Sequence, residues 1–358
     1  MKKIKRILVT GAGGPAAFNF VKSLRVAPER FYIVGTDIKP YHLELNDLDK
    51  RYIIPPASSI DYLKYLNKII EKEKIDFIHP QPDVEVAFLS ENREKIKAKL
   101  FLPDKNTIKL CQDKFETYEI LKQNKIPVAE SYLIENKKDL KLAFKMFSKN
   151  NKLMWIRAIK GAGSRAALPI KEIEHAEIWI DYWQKMKGIG YGQFMISEFL
   201  PGKEFAFQSL WKDGELITSQ ARERIEYLFG NITPSGQTST PSIAKTVHRN
   251  DVNKIATAAI KAIDLKASGI FCVDLKENKE GIPCITEINA GRFFTTSYFF
   301  TQAGLNMPYF YIKLAFNEKL PKLKKYNPLP KDVYWVRHVD MGYKLIKEDQ
   351  WRSKQLRL

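Results

Sequence analysis

The stretch GIFCVDLKENKEGIPCITEINAGRF, residues 269–293, places polar residues beside and inside two apolar runs. Asp274 directly follows the first run, and Glu287 and Asn289 lie two positions apart within the second. The segment 277–281 between them is typical of a turn, so the pattern predicts a two-stranded hairpin. Residues two apart on a strand point to the same face. The hairpin is therefore expected to bring two carboxylates and one amide to a single place.

The composition is that of a globular protein. The chain has 358 residues, of which 44% are hydrophobic and 28% charged, enough for two or three domains. Its longest apolar runs are far shorter than the roughly 20 residues that span a bilayer. No secretory signal precedes the first predicted strand, which favours a cytoplasmic protein. Cys111, Cys272 and Cys284 are odd in number and widely spaced, as is typical of reduced core cysteines.

The net charge of +18 could indicate an anionic partner. The lysines are, however, scattered along predicted helices such as 62–72, as expected of solvated helix faces. The sequence also contains no zinc-finger or RNA-recognition signature. We therefore do not expect a nucleic acid as partner, and phosphate-rich small molecules account for part of the excess.

The first third of the sequence alternates predicted strands and helices at a spacing typical of a parallel, doubly wound α/β sheet. The turn at 11–16 matches G-x-G-x-x-A, and Asp37 closes the next predicted strand. This pattern is compatible with the dinucleotide site of an NAD(P)-dependent oxidoreductase. In many domains of this kind, however, such glycines serve only the strand-to-helix turn.

A glycine-rich loop follows the strand predicted at 153–156. Three cations, Arg157, Lys160 and Arg165, flank its glycines. Glycine lets backbone N–H groups approach an anion and the cations would neutralise it, so the loop suits a triphosphate. It lacks the Walker A spacing, and a plain hairpin turn is the other interpretation.

A third element is the Pro-Gly linker at 201–202, which joins two predicted strands. The main chain of such a linker can pair with the edge of an adenine, and the carboxylate of Glu204 can accept bonds from ribose hydroxyls. A surface turn with charged flanks is the alternative.

In this order, these elements resemble the ATP-grasp superfamily, and within it the carbamoyl-phosphate-synthetase-like branch. The resemblance covers most of the chain. It rests on Asp113-Lys114, on residues 157–164 and 198–204, and on Asp274, Glu287, Asn289 and Arg292.

The resemblance implies a fold of the α/β and α+β classes. A Rossmann-like pre-ATP-grasp domain is expected at 1–110, followed at 111–320 by an ATP-grasp domain whose two subdomains clamp ATP. Residues 128–200 are expected to form the small lid subdomain, and residues 321–358 a basic C-terminal extension.

The resemblance also implies the cofactors and the roles of individual residues. The positions that match Asp274, Glu287 and Asn289 hold two Mg2+ ions over the triphosphate, and Mn2+ could replace them. The positions that bind ATP match Lys114, Arg157, Gly161, Gly163, Ser164, Glu198, Phe199, Leu200 and Glu204. Arg292 and Lys160 are the expected catalytic residues. The loop 161–167 is expected to be a mobile lid over the phosphates.

Two departures from the family pattern bear on which reaction the resemblance implies. The usual E-x-N-P-R has its arginine one place later here, at 292. Carbamoyl-phosphate synthetase large subunits contain two tandem halves, whereas this sequence shows one, without an internal repeat or a glutaminase-like cysteine motif. A stand-alone ligase is therefore implied. A substrate carboxylate would attack the γ-phosphoryl group of ATP, and an amine or another nucleophile would displace phosphate from the acyl phosphate.

The substrates themselves are indicated only by class. Arg222, Arg224 and Arg292 suit a carboxylate-bearing substrate such as an amino acid, and 222–240 is a candidate substrate loop. The candidates for the acceptor side are the strand-end residues Gly13, Gly14, Asp37, Asp83 and Glu85. Small-molecule carboxylate and amine substrates are thus the expected partners besides ATP.

Three further points stay open from the sequence. The five dispersed histidines fit no metal spacing and are expected to be structural, and His79, at a predicted strand end, is the one that could instead face a cleft. A homodimer is one assembly that the sequence allows. A non-catalytic nucleotide-binding module is the alternative outside enzymes, although two converging carboxylates without an ion would repel each other.

Overall fold

The computed structural model describes residues 3–147, 153–161, 166–238, 240–339, 343–347 and 349. Its first part contains four parallel strands, β1 (Lys5–Thr10), β2 (Phe31–Asp37), β3 (Lys50–Ile53) and β4 (Phe77–His79). They form one sheet in the order β3-β2-β1-β4. The accompanying helices are α1 (Pro15–Arg25), α2 (Tyr62–Lys72) and α3 (Asp83–Glu91). The α/β class predicted for this part is confirmed.

Close packing surrounds the glycine turn between β1 and α1. Gly11 has a φ of +56°, and a Cβ atom there would lie 2.3 Å from Cγ of Pro82. A Cβ atom on Gly13 would lie 2.9 Å from Cβ of His42 and 3.0 Å from Oδ2 of Asp37. The same Asp37 oxygen accepts the backbone N–H of Gly13. These glycines therefore serve the packing of the turn itself, and Asp37 holds it in place.

Two helices, α4 (Lys105–Gln112) and α5 (Lys114–Gln123), lead into a second sheet. Its four antiparallel strands are β5 (Ser131–Ile134), β6 (Met154–Ala158), β7 (Leu168–Ile170) and β8 (Phe194–Glu198), in the order β5-β8-β6-β7. Helices α6 (Lys137–Phe147) and α7 (Ile173–Lys187) pack on this sheet around a core of its own, which includes Leu140, Ile180 and Ile196.

The third sheet has seven antiparallel strands. In chain order these are β9 (Glu204–Lys212), β10 (Glu215–Tyr227), β11 (Pro241–Val247), β12 (Gly269–Glu277), β13 (Pro283–Ala290), β14 (Val333–Arg337) and β15 (Tyr343–Lys347). The spatial order is β13-β12-β9-β10-β11-β14-β15. Three helices accompany this sheet, α8 (Asn250–Ile263), α9 (Tyr298–Gln302) and α10 (Met307–Ala315).

The two faces of the large sheet differ, because side chains alternate along each strand. Phe207 and Val273 point to one face and join the core that also contains residues of α8. Ile270 and Cys272 point to the other face, where they pack with residues of α1 and α10. Further along this second face the side chains become polar, beginning at Asp274. This polar end of the face carries the candidate site.

Residues beyond 321 also pack on the body of the protein. Strands β14 and β15 extend the large sheet, and Trp335 of β14 is buried. The backbone N–H of Asn327 donates to the carbonyl oxygen of Ser219 on β10 (2.9 Å). In the ranges that the structure describes, no helix combines the length and the apolar character needed to cross a membrane.

Candidate active site

The predicted hairpin at 269–293 is present as β12 and β13. Asp274 pairs with Glu287 across the two strands, and Cys272 pairs with Asn289. Paired residues of antiparallel strands project from the same face, so the two carboxylates and the amide share one face. The register shifts next to Asp274, and the hydroxyl of Thr286 donates to the Asp274 carbonyl oxygen (3.1 Å). Such bulges change the direction of neighbouring side chains.

Each of the three polar side chains of the hairpin contacts a cation. The pairs are Arg224–Asp274 (Nη2 to Oδ1, 2.6 Å), Lys114–Glu287 (Nζ to Oε1, 3.5 Å) and Arg292–Asn289 (Nη2 to Oδ1). These cations neutralise the carboxylates in a region largely shielded from water, where an isolated charge would be costly.

The two carboxylates respond differently to this environment. Burial raises the pKa of Asp274, an effect that Arg224 opposes and the nearby Glu287 reinforces. Burial would also raise the pKa of Glu287, but the cations of Lys114, Arg292 and Arg157 lower it below its usual range. Glu287 is therefore the more firmly ionised of the pair.

This donor set fits magnesium. Hard cations take carboxylate and amide oxygens, usually a few from the protein and the rest from substrate phosphates and water. Within the described ranges, no group of three or more His, Cys, Asp and Glu side chains is arranged to hold a metal ion. Any ion at this place would therefore rest on Asp274, Glu287 and the amide oxygen of Asn289, completed by ligands from outside the protein.

Two predicted phosphate-binding cations lie next to this cluster. Lys114, the first residue of α5, donates to the carbonyl oxygen of Gly161 (2.6 Å). Arg157 on β6 donates from Nη1 to the carbonyl oxygen of Thr286 (2.9 Å), and its Nε has no hydrogen-bond acceptor in the part of the chain described. Gly161 has a φ of +105°, which side chains other than glycine rarely adopt.

The remaining predicted phosphate-site residues are Gly163, Ser164 and Lys160. Gly163 and Ser164 lie outside the described residues, as does most of the predicted lid. Lys160 is 68% exposed, and its ammonium lies 3.5 Å from Oδ2 of Asp113. Among the described side chains that line the cavity, Lys160 does not occur. Its catalytic role stays a prediction that this geometry does not support.

Asp113 holds the start of α5 and thereby positions Lys114. Its Oδ1 accepts the backbone N–H groups of Phe115 and Glu116, both at 3.0 Å.

We expect Asp113→Ala to reduce the free energy of unfolding by about 1 kcal/mol, because an N-cap is lost, and to weaken nucleotide binding several-fold. Calorimetry and thermal melting would measure both effects.

Asp104 provides the matched control for this change. It caps α4 by accepting the N–H of Asn106 (2.8 Å) and does not line the cavity in the described structure. Asp104→Ala should cost similar stability and leave nucleotide affinity unchanged. Equal nucleotide affinity in both variants would show that the cap of α5 has no role in the site.

The predicted adenine region lies where β8 leaves the second sheet. Phe199 and Leu200 follow β8, and the ring of Phe199 lies 6.5 Å from that of Trp155. Leu200 packs with Ala129 and Cys284 in a small apolar cluster. A flat base could be enclosed by these apolar groups.

Glu198 and Glu204 lie at the two ends of the linker that joins β8 to β9. Oε1 of Glu198 accepts the backbone N–H of Glu130 (3.1 Å). The Glu204 carboxylate lies between cations of neighbouring strands and is bound by Lys276 (2.7 Å), Gln237 (2.5 Å) and Tyr227. Burial would raise the pKa of Glu204, but Lys276 and its other partners lower it overall. The carboxylate predicted to meet the ribose is thus ionised and held by protein groups.

Residues from all of these elements line one cavity of about 350 Å³. Eleven of the predicted site residues that the structure describes line it, and they come from separate parts of the sequence: Lys114, Arg157, Gly161, Glu198, Phe199, Leu200, Glu204, Asp274, Glu287, Asn289 and Arg292. The cavity lies between the small sheet and the polar face of the large one.

The described lining of the cavity includes none of the candidates for the acceptor side, Gly13, Gly14, Asp37, Asp83 and Glu85. Asp83 is connected to the cavity through a lining residue. Asp83, at the start of α3, forms two hydrogen bonds with the guanidinium of Arg292, one of them at 3.2 Å. His79 is fully buried and stacked on Phe20, and burial lowers its pKa to about 4. His79 is therefore a neutral core residue, as expected of the histidines in general, and the alternative that it faces the cleft is wrong.

Several lining residues escape prediction from the sequence. Trp155, Lys276 and Phe294 all face the cavity. Lys276 could have been found, because it lies two positions after Asp274 on a predicted strand and must share its face. Trp155 and Phe294 look like ordinary core aromatics in the sequence and give no such signal.

Comparisons with known protein families agree with this geometry. A family model described as an ATP-grasp domain matches residues 111–296, more than half of the chain. A second model, described as a PylC-like N-terminal domain, matches residues 7–100. A search of curated proteins finds no significant match. The matches give no support to an oxidoreductase.

Solved structures resemble the chain in fold. The biotin carboxylase domain of 2-oxoglutarate carboxylase from Hydrogenobacter thermophilus, in complex with MgADP, ADP and bicarbonate, has 15% identity and a TM-score of 0.71. The alignment covers 94% of this chain and 74% of that one. L-amino acid ligase from Bacillus licheniformis has 13% identity and a TM-score of 0.66, with coverages of 94% and 79%. N5-carboxyaminoimidazole ribonucleotide synthetase from Thermotoga maritima has 20% identity and a TM-score of 0.62, with coverages of 93% and 80%.

Proposed function

The chain belongs to the ATP-grasp family, and from this premise we propose that it is a carboxylate–amine ligase. A substrate carboxylate oxygen attacks the γ-phosphorus of ATP, the bond to the β,γ-bridging oxygen breaks, and ADP leaves. An amine, or another nucleophile, then attacks the acyl carbon of the acyl phosphate, releases inorganic phosphate and gives up a proton.

One observation carries this proposal. Residues from four distant segments, which the sequence and the family resemblance assign to phosphate, adenine, ribose and magnesium, line a single cavity. One bound nucleotide would contact all four groups at once.

The position of each residue determines which part of the nucleotide or of the transferred group it contacts. The apolar surface of Trp155, Phe199 and Leu200 receives the base, and Glu204 faces the sugar. Lys114 and Arg157 neutralise the phosphates and hold them in line for attack. Arg292 approaches from the side of Asp83 and stabilises the negative charge that develops on the transferred group. Asp274, Glu287 and Asn289 would hold magnesium, which would supply charge neutralisation at the phosphate oxygens.

The site needs no nucleophilic side chain for this reaction. The substrate carboxylate is the nucleophile of the first step and the amine that of the second. Positioning and charge neutralisation account for most phosphoryl-transfer catalysis. The three cysteines cannot replace them, because all are buried and burial raises the pKa of each thiol.

Nucleotide-dependent thermal melting tests this proposal. A ligand present at 100 times its Kd stabilises the folded state by about 2.7 kcal/mol. We therefore expect Mg·ATP to raise the melting temperature by several degrees, and NAD(P)H at the same concentration to leave it unchanged. Equal or greater protection by NAD(P)H would contradict the ligase and favour the oxidoreductase.

A further inference from the structure

The two helices that cover the small sheet expose apolar side chains to solvent. Helix α6 exposes Leu142 and Met146, which lie four positions apart and therefore share one side of the helix. Helix α7 exposes Ile178, Tyr182 and Met186 at the same spacing. All five side chains are between 49% and 68% exposed. Each helix thus carries an apolar stripe that no other part of the described chain covers.

The two stripes belong to one surface, because α6 and α7 lie side by side on the same face of the small sheet. Ala143 of α6 and Ala176 and Ile180 of α7 point inward and share one core with that sheet. The two helices contact each other, and Lys137 forms an ion pair with Glu177 (Nζ to Oε1, 3.9 Å). We call the solvent-exposed side of α6 (Lys137–Phe147) and α7 (Ile173–Lys187) the outer helical face.

The outer helical face points away from the candidate active site. Side chains alternate along β6, so Met154 and Ile156 join the core beneath the helices, whereas Trp155 and Arg157 point to the opposite side and line the cavity. A partner on the outer helical face would therefore leave the cavity accessible.

The half of this face that α6 provides is basic. Lys138, Lys141 and Lys145 flank the apolar stripe and are exposed. Among the described residues, none of these three lysines takes part in an ion pair; the ion pair of α6 is that of Lys137. The single acidic residue of α6, Asp139, accepts the backbone N–H groups that precede the helix.

The half that α7 provides is acidic over most of its length. Residues 173–184 include Glu174, Glu177 and Asp181 and no lysine or arginine. Asp181 pairs with Lys185 one turn later (2.8 Å), and both side chains are more than half exposed. An exposed pair of this kind is worth about 0.5 kcal/mol or less, so the carboxylate remains available to another cation.

A surface with one basic and one acidic half is complementary to itself. A two-fold axis that passes between the helices places α6 of one copy on α7 of the other, and the same contact occurs a second time by symmetry. Lysines then meet carboxylates at both places, and the apolar stripes cover each other. The charge pattern therefore favours a second copy of this chain as the occupant.

The size of the face limits the strength of such a contact. With 11 and 15 residues, the helices are about 17 and 23 Å long and about 10 Å wide each. Their joint outline of about 400 Å² is smaller than the roughly 800 Å² that each partner buries in a standard interface. A dimer formed through this face should therefore dissociate reversibly upon dilution.

We propose that the outer helical face pairs two copies of this chain in a reversible two-fold dimer, with α6 of each copy packed against α7 of the other. The face contains none of the residues that line the cavity. The inference is therefore independent of the ligase reaction.

Sedimentation velocity of the full chain tests the dimer. Between about 1 and 100 µM, the mass should rise from that of the 41.5 kDa chain toward twice this value. Since exposed charges are screened by salt, the same series at about 1 M salt should shift the midpoint to a higher protein concentration.

Two charge-reversed variants locate the contact. The α6 variant carries Lys138→Glu, Lys141→Glu and Lys145→Glu, which makes both halves of the face acidic. The α7 variant carries Glu174→Lys, Glu177→Lys and Asp181→Lys, which makes both halves basic. Each variant alone should remain a monomer over the whole concentration range. Mixed in equal amounts, the two should form a heterodimer, because an acidic face then meets a basic one at both contacts.

Matched controls change equally exposed residues elsewhere. Lys64→Glu, Lys68→Glu and Lys72→Glu on α2 change the net charge as much as the α6 variant does and should leave the dimer intact. Tyr182→Ser should weaken the dimer at least about tenfold, because the two-fold axis removes the lost apolar contact twice. Leu265→Ser, in the loop after α8, should have no effect.

Each other outcome overturns a defined part of the inference. A parent chain that stays monomeric throughout would overturn the dimer. A dimer that persists in both charge-reversed variants would place the contact outside the outer helical face. Variants that fail to combine, or that combine into species larger than a dimer, would overturn the two-fold pairing of α6 with α7. Mg·ATP should raise the melting temperature of the parent and of both variants equally, so a failure of the ligase proposal is detected separately.

Discussion

Replacing Glu287 by glutamine is expected to reduce ligase turnover by at least about 10²-fold, which corresponds to about 2.7 kcal/mol of lost transition-state stabilisation. Glutamine keeps the shape of the side chain and removes its charge. Glu287 is the more firmly ionised of the two hairpin carboxylates, because Lys114, Arg292 and Arg157 surround it. Of the two hairpin carboxylates, it is therefore the one that offers magnesium the more firmly held negative charge.

The same change should affect nucleotide affinity much less. Lys114, Arg157 and the linker from Glu198 to Glu204 remain in place to hold ATP. We expect Kd for the nucleotide to rise by less than turnover falls, so that kcat carries most of the loss. Steady-state phosphate release and calorimetry, performed on one preparation, would measure the two quantities.

Stability provides a second readout for Glu287→Gln. A carboxylate whose pKa is lowered in the folded state stabilises the protein above its unfolded pKa, and this contribution is lost as the pH falls through the folded pKa. At neutral pH in the absence of magnesium, the variant should therefore melt somewhat below the parent protein. At a pH below the folded pKa the difference should disappear.

A carboxylate in the first domain serves as control. Glu73 is buried, and its pKa is lowered by the hydrogen bond from Tyr52, but it lies outside the described cavity lining. Glu73→Gln should lower the melting temperature and leave turnover unchanged. A folded Glu287→Gln protein with near-normal turnover would show that the hairpin cluster is structural and that the proposed mechanism is wrong.

Much of this site is predictable from the sequence because its residues act through local geometry. Asp274, Glu287 and Asn289 follow from strand alternation and one hairpin turn. The predicted membership in the ATP-grasp family and the predicted α/β and α+β classes are confirmed. The predicted domain limits at 110, 320 and 128–200 stay predictions.

The parts that escape prediction depend on contacts between distant strands. In the sequence, Arg337 lies more than a hundred positions after Arg222 and Arg224. Only the strand register through β11 shows that the three arginines share one face of the sheet. Lys160 was expected in the site because it lies beside the glycines. Its side chain instead turns to Asp113, since the cap of α5 offers the nearest carboxylate.

The shifted arginine is the second residue whose loss should abolish most of the activity. Arg292 reaches across from the β13 side to Asp83 of the first domain, with two hydrogen bonds to its carboxylate, and also contacts Asn289. Gly291, with a φ of +85°, allows the chain to turn between Asn289 and Arg292. The one-residue shift from the usual pattern thus brings the guanidinium to the junction between the two domains.

Arg292→Met should lower kcat by roughly 10²- to 10³-fold, the cost of removing one donor that stabilises transition-state charge. The nucleotide Kd should change little, because Arg292 is placed at the transferred group and not at the base or sugar. Arg249→Met is the control, since this arginine is also half-buried and pairs with Asp251 and Glu277 away from the cavity. It should cost stability and keep the turnover.

The variant Asp83→Asn distinguishes two roles for Asp83, orienting Arg292 and binding the incoming amine. If Asp83 only orients Arg292, the asparagine, which can still accept one hydrogen bond, should lose about tenfold in kcat and keep the nucleotide Kd. If Asp83 instead binds the incoming amine, KM for the amine should rise in Asp83→Asn and stay unchanged in Arg292→Met. Full turnover in Arg292→Met would remove the arginine from the mechanism and leave Lys114 and Arg157 as the cations that carry the reaction.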